Sequence, residues 1–95
     1  MKILHYKIVI EKEGRAYGAY LPDLTGCVAT GSSLREVKRR ILKAVEDHIS
    51  EMILNGYPLP HPRSGQIYKN SNIVEIARIV IDIDCLFAKT QKISA

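Results

Sequence analysis

Residues 33–56 read SLREVKRRILKAVEDHISEMILNG, and this stretch decides the fold of the chain. Its apolar side chains recur at spacings of three and four, which lays an apolar stripe along one face of a helix. The stripe consists of Leu34, Val37, Ile41, Val45, Ile49 and Met52 or Ile53. Ser33 and Glu36 have the spacing of a capping box, in which the serine hydroxyl accepts from the Glu36 N–H and the glutamate accepts from the Ser33 N–H. Asn55 and Gly56 favour a left-handed cap. The pattern predicts one long helix beginning at Leu34.

Three short strands are predicted before this helix. Residues 3–12 alternate apolar with polar side chains, as in a half-buried strand. Gly14 permits a turn into residues 15–21, so the two segments form an antiparallel hairpin. The third strand, residues 26–31, is short, apolar and bracketed by glycines, which suggests unusual backbone geometry at Gly26 and Gly31.

A fourth strand is predicted after the helix. Residues 57–62, YPLPHP, form an extended arm because alternate prolines exclude a helix. The β-branched run at residues 73–83 favours a final strand, joined to the third through the helix by a right-handed crossover. The fold class is therefore α+β with the order β-β-β-α-β, a small mostly antiparallel sheet covered by one long helix. We assign residues 1–84 to this domain and residues 85–95 to a short C-terminal tail.

The polar residues of the last predicted strand do not all fall on the same face of the strand. Glu75 has the opposite parity to Arg78 and Asp82, so either a bulge shifts the register or both faces are partly buried. An apolar strand of this kind in so small a chain favours burial by another copy of the chain. We expect a homo-oligomer, a dimer or a tetramer, with these side chains in its interface: Val74, Ile76 and Val80.

Composition narrows the class of protein. The chain has 95 residues, a formal charge of +4 and 46% hydrophobic residues, as expected of a single globular domain. No apolar run reaches the roughly 18 residues needed to cross a bilayer, so we expect no membrane partner and a cytoplasmic location. Cys27 and Cys85 form no CxxC pair and are expected to be free thiols in a reducing compartment.

The residue types needed for catalysis are present but not in a catalytic pattern. A two-metal nuclease gathers carboxylates on adjacent elements, and the available acids are Glu11, Glu36, Asp82 and Asp84. Helix capping or exposure at a strand end accounts for them. Cys27 has no histidine at an activating spacing, and His5, His48 and His61 do not form a metal set. We expect no enzyme activity, no catalytic residue, no metal and no cofactor.

Two features leave room for nucleic-acid binding without catalysis. Tyr6, Tyr17 and Tyr20 lie on neighbouring predicted strands and could stack on bases. The helix also carries a basic cluster, which is either a solvated face or an anion-binding patch. Its members are Arg35, Lys38, Arg39, Arg40 and Lys43. A small RNA-binding or nucleic-acid-binding module is therefore the alternative function.

Residues 20–27, YLPDLTGC, lie between the second and third strands, and together with their context they resemble the HicB family of antitoxins. The family pattern there is tyrosine, a variable residue and then Pro-Asp-Leu-Pro-Gly-Cys, from which only Thr25 departs. Residues 31–36, GSSLRE, are similar to the segment that opens the family's helix, and residues 56–60, GYPLP, to its closing glycine and proline-spaced arm. The resemblance covers roughly residues 6 to 62.

The resemblance implies a truncated ribonuclease-H-like fold and a partner. The expected partner is a HicA-type toxin, a small basic mRNA-cleaving protein that the antitoxin masks sterically. Because the toxin is basic, we expect acidic residues near the strand ends and the motif turn to meet it. The candidate partner-binding residues are Glu11, Glu13, Tyr20, Pro22, Asp23 and Leu24. Many HicB proteins carry a C-terminal DNA-binding segment, whereas about eleven residues follow the last strand here, which makes operator DNA a doubtful partner.

Overall fold

The computed structural model describes residues 3–60 and 71–86, and within them the predicted element order is found. The elements are β1 (Ile3–Glu13), β2 (Ala16–Leu21), β3 (Leu24–Gly31), α1 (Leu34–Leu54) and β4 (Ile73–Asp82). The fold is α+β, as predicted. Predictions that fall on residues 61–70 and 87–95 lie outside the described residues.

All the strand pairs of the sheet are antiparallel. The strand order is β3-β2-β1-β4, so β4 lies beside β1 and not beside β3. Because β4 runs antiparallel to β1, it also runs antiparallel to β3. The connection through α1 therefore joins the two edges of the sheet, and the prediction of a right-handed crossover is wrong because the handedness rule holds only for parallel strands. The described part of the chain contains no helix long and apolar enough to cross a membrane.

Two glycines of the sheet and its hairpin have a positive φ. Gly14 adopts a φ of 62° in the β1–β2 hairpin, and Gly26 a φ of 89° within β3. Gly31 does not have a positive φ; a Cβ there would lie 2.9 Å from the backbone nitrogen of Val37. Gly26 therefore confirms the expected unusual backbone geometry, while Gly31 permits close packing of β3 against α1 instead.

The helix packs on the sheet through the predicted stripe. Val37, Ile41, Val45 and Ile49 are its buried residues. They meet the even-numbered residues of β1, Leu4 through Ile10, in one core that also contains Ile79, Ile81 and Leu86. The core therefore lies entirely between α1 and one face of the sheet.

The start of the helix differs in one detail from the predicted capping box. Ser33 is the N-cap, and its Oγ accepts from the Glu36 N–H at 3.1 Å. The Glu36 carboxylate, however, accepts from the N–H of Ser32 at 3.1 Å, and not from that of Ser33. The Glu36 carboxylate thus accepts a hydrogen bond from the residue before the N-cap. Gly56, with a φ of 72°, takes the left-handed position at the other end.

The mixed phase of β4 has a structural explanation. A bulge is present, since Ile10 pairs with Glu75 while Glu11 pairs with Ile73, leaving Val74 without a directly opposed residue. Beyond the bulge, side chains alternate regularly, with Ile79 and Ile81 buried and Val80 exposed. Glu75 lies on the helix side, where Lys38 Nζ approaches its Oε2 to 2.6 Å. Glu75 therefore lies on the opposite face from Arg78 and Asp82 because it forms an ion pair with Lys38 of α1.

Candidate protein-interaction surface

The face of the sheet opposite α1 carries no covering element among the described residues, and we call it the open face. Strand alternation places on it the odd residues of β1 from Ile3 to Glu11 and the even residues of β4 from Ile76 onward. Cross-strand pairing adds residues of β2 and β3. The members used below are Lys7, Val9, Tyr20, Val28, Ile76, Arg78 and Val80.

An apolar row crosses all four strands on the open face. Val9 is paired with Tyr20 on one side and with Ile76 on the other, and Tyr20 is paired with Val28. Directly opposed side chains on one face are neighbours, so the four residues form a continuous line. Val9 is buried within it, while Val28 at the sheet edge is exposed. The row gives the open face an apolar centre with an aromatic side chain in it.

Two cations lie beside this row. Lys7 is directly opposite Arg78 in the β1–β4 register, and neither side chain makes an ion pair or a hydrogen bond within the described part of the chain. Like charges placed directly opposite one another across strands are unfavourable. An acidic group on a binding partner would relieve this repulsion. Sequence reasoning did not find the pair, because nothing local reveals that residue 7 faces residue 78.

The predicted partner-binding residues on β1 and β2 are spread along the open face, with Glu11 and Glu13 toward the hairpin and Tyr20 toward the opposite end of β2. Glu11 follows Val9 on this face, and Tyr20 is half-buried in the apolar row. Glu13 is exposed at the end of β1, beside the hairpin turn. The three residues therefore share the open face and its hairpin but span most of the length of β2.

The predicted residues of the motif turn lie elsewhere. Pro22 and Asp23 connect β2 to β3 at the end of the sheet opposite the hairpin, with Pro22 exposed and Asp23 half-buried. Leu24 is 1% exposed and belongs to the core, so its side chain is not available to a partner in this fold. The six predicted residues thus divide between the two ends of β2 and the interior.

The residues predicted for self-association are on the outermost strand. Val74, Ile76 and Val80 are 50%, 41% and 58% exposed. Ile76 and Val80 lie on the open face, and Val74 lies at the bulge. Their contact with a second copy stays a prediction.

The tyrosines do not assemble the stacking surface that RNA binding would need. Tyr6 is fully buried, and its hydroxyl donates to the carbonyl of Pro60 at 2.6 Å. Burial, and secondarily the charge of Asp23, raises the pKa of the Tyr6 hydroxyl above its ordinary value. Tyr17 packs against the core on the helix side, with Lys12 above its ring. Tyr20 alone of these three lies on the open face.

The carboxylates considered for catalysis have structural contacts. Glu36 caps α1, and Asp82 accepts from the N–H of Cys85 at 3.1 Å, at the start of a helical turn formed by residues 83–86. Within residues 3–60 and 71–86, no three His, Cys, Asp or Glu side chains lie close enough together to hold a metal ion. Nothing in the described part of the chain therefore resembles a two-metal site.

The two cysteines are unbridged and differ in environment. Cys27 is buried, and burial raises the pKa of its thiol, which keeps it in the unreactive protonated form. Cys85 is exposed. His5 lies on the exposed side of β1, His48 is half-buried on α1, and His61 falls outside the described residues. Cys27 is therefore a core residue.

Most of the basic cluster on α1 is neutralised by neighbours. Lys38 pairs with Glu75, and Lys43 Nζ lies 3.6 Å from the Asp47 carboxylate. Arg40 pairs with Glu36 and donates to the carbonyl of Thr30. In the described part of the chain, Arg35 and Arg39 make no such contact. The cluster thus has the character of a solvated helix face more than of an anion site.

Comparison with known proteins identifies the family. The family model described as HicB_like antitoxin of bacterial toxin-antitoxin system matches residues 6–94. The chain belongs to this family. The chain is also 30% identical over 92 residues to a 14.9 kDa protein from the rep-hol intergenic region of Haemophilus phage HP1, covering 94% of this chain and 69% of the phage protein. It is also 33% identical over 60 residues to a UPF0150 protein of Synechocystis, covering 62% and 76% of the two chains.

Two solved structures have a similar fold. The N-terminal domain of the Burkholderia pseudomallei antitoxin HicB superposes with a TM-score of 0.68 at 19% identity, covering 83% of this chain and 99% of that domain. A chain of the HicA3 and HicB3 toxin-antitoxin complex superposes with a TM-score of 0.55 at 29% identity, covering 65% and 72%. The sheet with one long helix is therefore the HicB N-terminal fold.

Proposed function

We propose that this protein is an antitoxin that binds a HicA-type toxin and masks it sterically, without catalysis and in the cytoplasm. The family match over residues 6–94 is the observation that carries the proposal. The similarity to a chain of the HicA3 and HicB3 complex supports a toxin of the same type as partner. The absence of a carboxylate cluster from the described residues is consistent with blocking by coverage.

The open face with its β1–β2 hairpin is the contact surface that we propose. Tyr20 lies between Val9 and Val28 in the apolar row, and an aromatic side chain held among apolar neighbours is a common anchor of protein interfaces. Glu11 and Glu13 add negative charge at the hairpin end, which suits a basic partner. This surface combines an apolar centre with acidic side chains at the hairpin end and the two cations Lys7 and Arg78 beside the centre.

The turn containing Pro22 and Asp23 is a second, smaller contact in this proposal. It lies at the far end of β2 from Glu13, so a partner touching both would have to extend along the whole strand. A six-residue strand measures roughly 17 Å, which is within the width of a small globular toxin. Leu24 is left out because it is buried.

Binding to a HicA-type toxin encoded beside this gene would test the proposal. We expect a stable complex at about 150 mM salt, loss of the toxin's mRNA cleavage in the complex, and relief of growth arrest on co-expression. Tyr20→Ala should weaken binding by about tenfold or more, whereas Tyr57→Ala, on the exposed arm, should not. Glu11→Lys with Glu13→Lys should slow association, while Glu46→Lys with Asp47→Lys makes the same change in net charge at two exposed positions of α1 and serves as the matched control.

Binding to RNA is the competing outcome of the same experiment. Salt-sensitive retention of labelled RNA, without toxin binding, would contradict the antitoxin proposal and favour a nucleic-acid-binding module. RNA binding is the second candidate function because, of Tyr6, Tyr17 and Tyr20, only Tyr20 lies on the open face. Operator DNA can be included as a third probe, and we expect no specific retention.

A further inference from the structure

We propose that the outer edge of β4 pairs antiparallel with β4 of a second copy of this chain, which joins the two sheets into one of eight strands. This inference concerns a different edge of the molecule from Tyr20 and the hairpin, and it does not depend on toxin binding. It turns the general expectation of self-association into a defined interface and register.

The two edges of the sheet are not equally protected. β3 is eight residues long, contains two glycines, and has one carbonyl, that of Thr30, occupied by the Arg40 side chain. β4 is ten residues long and contains neither proline nor glycine. Beyond its ladder with β1, its backbone makes no hydrogen bond to the described part of the chain. Edge strands are ordinarily shortened, covered, interrupted or charged, whereas β4 has a bulge at its beginning and two charged residues in its interior, Glu75 and Arg78, of which Glu75 is paired with Lys38.

The exposed side chains of β4 are unusually apolar for an outermost strand. Val74, Ile76 and Val80 are all more than 40% exposed. On the helix side, Ile79, Ile81 and Leu86 line a depression of about 180 Å³ beside Glu46 and Cys85. A strand added at this edge would bring side chains against both surfaces at once.

Self-pairing of β4 has one favourable register. Two-fold pairing makes one residue face its own copy, and only centres at Ala77 and Arg78 let nine of the ten residues pair. A centre at Arg78 would oppose two guanidinium groups directly, which is unfavourable. A centre at Ala77 places Ile76 opposite the partner's Arg78 and Val80 opposite the partner's Val74. The register centred at Ala77 is therefore the one that we propose.

Packing of two open faces against each other fits less well. Lys7 and Arg78 lie side by side on that face without a carboxylate partner in the described residues. A face-to-face dimer would bury this pair in both copies, and burying unpaired charge is costly. Edge pairing leaves Lys7 in solvent. It also leaves Tyr20 accessible for another partner.

Sizing of the purified protein with charge variants tests the interface. We expect a dimer by light scattering from about 10 to about 300 μM that persists at high salt. Ile76→Lys places like charge opposite the partner's Arg78 and should give a monomer, whereas Ile76→Glu at the same position places opposite charge there and should keep the dimer. Val28→Lys is the matched control, because Val28 is an exposed valine on the other edge of the same face. Circular dichroism confirms that each variant is folded.

Cross-linking tests the register. In a Cys85→Ser background, Ala77→Cys should form an intermolecular disulfide under mild oxidation, since directly opposed residues of antiparallel strands have Cα atoms about 4.5–5.5 Å apart. Val28→Cys should not. Native Cys27 is buried and does not compete.

Several results would overturn the inference. A strict monomer at the highest concentration rules out the dimer, and a dimer that survives Ile76→Lys but is lost with Val28→Lys places the contact on the other edge. Equal effects of Ile76→Lys and Ile76→Glu would contradict the register. Tyr20→Ala separates the two proposals, because this variant should bind the toxin more weakly while it still forms the dimer.

Discussion

The hydroxyl of Tyr6 donates to the carbonyl of Pro60 at 2.6 Å, across 54 positions of sequence. Tyr6 is on the central strand β1 and is fully buried under α1. Pro60 ends the described part of the arm that follows α1, and Leu59 beside it packs against the core. One hydrogen bond thus ties the proline-spaced arm to the middle of the sheet.

Tyr6→Phe should lower the free energy of unfolding by about 0.5–1.5 kcal/mol. The substitution removes the hydroxyl but keeps the ring, so the loss reports the hydrogen bond and the carbonyl left without its donor. Urea unfolding followed by circular dichroism measures it. Tyr57→Phe is the matched control, because Tyr57 lies exposed on the same arm and its hydroxyl has no described partner. Equal losses in the two variants would contradict this account.

Alkaline pH should destabilise the wild-type protein more than Tyr6→Phe. Burial raises the pKa of Tyr6 above its ordinary value of 10.0, so the folded protein keeps this proton after the unfolded chain has lost it. The stabilisation is complete below the unfolded pKa and is lost as pH rises through the folded pKa. Urea midpoints measured across this range test the difference. An equal fall of the urea midpoint with pH in the wild-type protein and in Tyr6→Phe would contradict this prediction.

The charge of Asp23 is the smaller cause of the same shift. Asp23→Asn should therefore bring the titration of Tyr6 closer to the ordinary value without abolishing the shift, because burial remains. The ultraviolet absorbance of tyrosinate follows it, with Tyr6→Phe identifying which step belongs to Tyr6. Asp47→Asn, on the exposed side of α1, is the control.

The parts of the fold that sequence predicts are those set by local periodicity. The stripe from Val37 to Ile49 and the cap at Ser33 depend on residues within a few positions of one another, and the structure confirms both. The alternation along β1 likewise predicts which side chains face the helix. Such patterns are read directly because the helix and strand repeats fix the direction of each side chain.

The parts that sequence did not predict depend on pairing between distant segments. The placement of β4 beside β1 sets Lys7 opposite Arg78 and Tyr20 in line with Ile76, through Val9. Neither neighbour relation has a local signal. The motif predicts Leu24 on the contact surface, but the β2–β3 turn directs its side chain into the core. The family motif thus located a turn without showing which of its side chains are exposed.

Gly31→Ala should destabilise the fold by about 1–3 kcal/mol through crowding. An added Cβ would lie 2.9 Å from the nitrogen and 3.2 Å from the Cα of Val37, both backbone atoms of α1, so the helix would have to move. Gly18→Ala is the matched control on β2, since the nearest atom to its Cβ, the Ala29 oxygen, is 4.0 Å away. Urea unfolding of the two variants compares them. An unchanged free energy of unfolding in Gly31→Ala would show that α1 can move to accept the added Cβ.

Ser33→Ala should lower the free energy of unfolding by about 0.5–2 kcal/mol, because the Glu36 N–H loses the acceptor that caps the first turn of α1. Ser32→Ala is the informative control. Its hydroxyl lies 3.4 Å from the Glu36 carboxylate, a long contact, while the main link between the two residues is the Ser32 backbone N–H, which alanine retains. We therefore expect Ser32→Ala to be the milder of the two in urea unfolding. The reverse order would mean that the Ser32 hydroxyl, and not its amide, holds Glu36 in place.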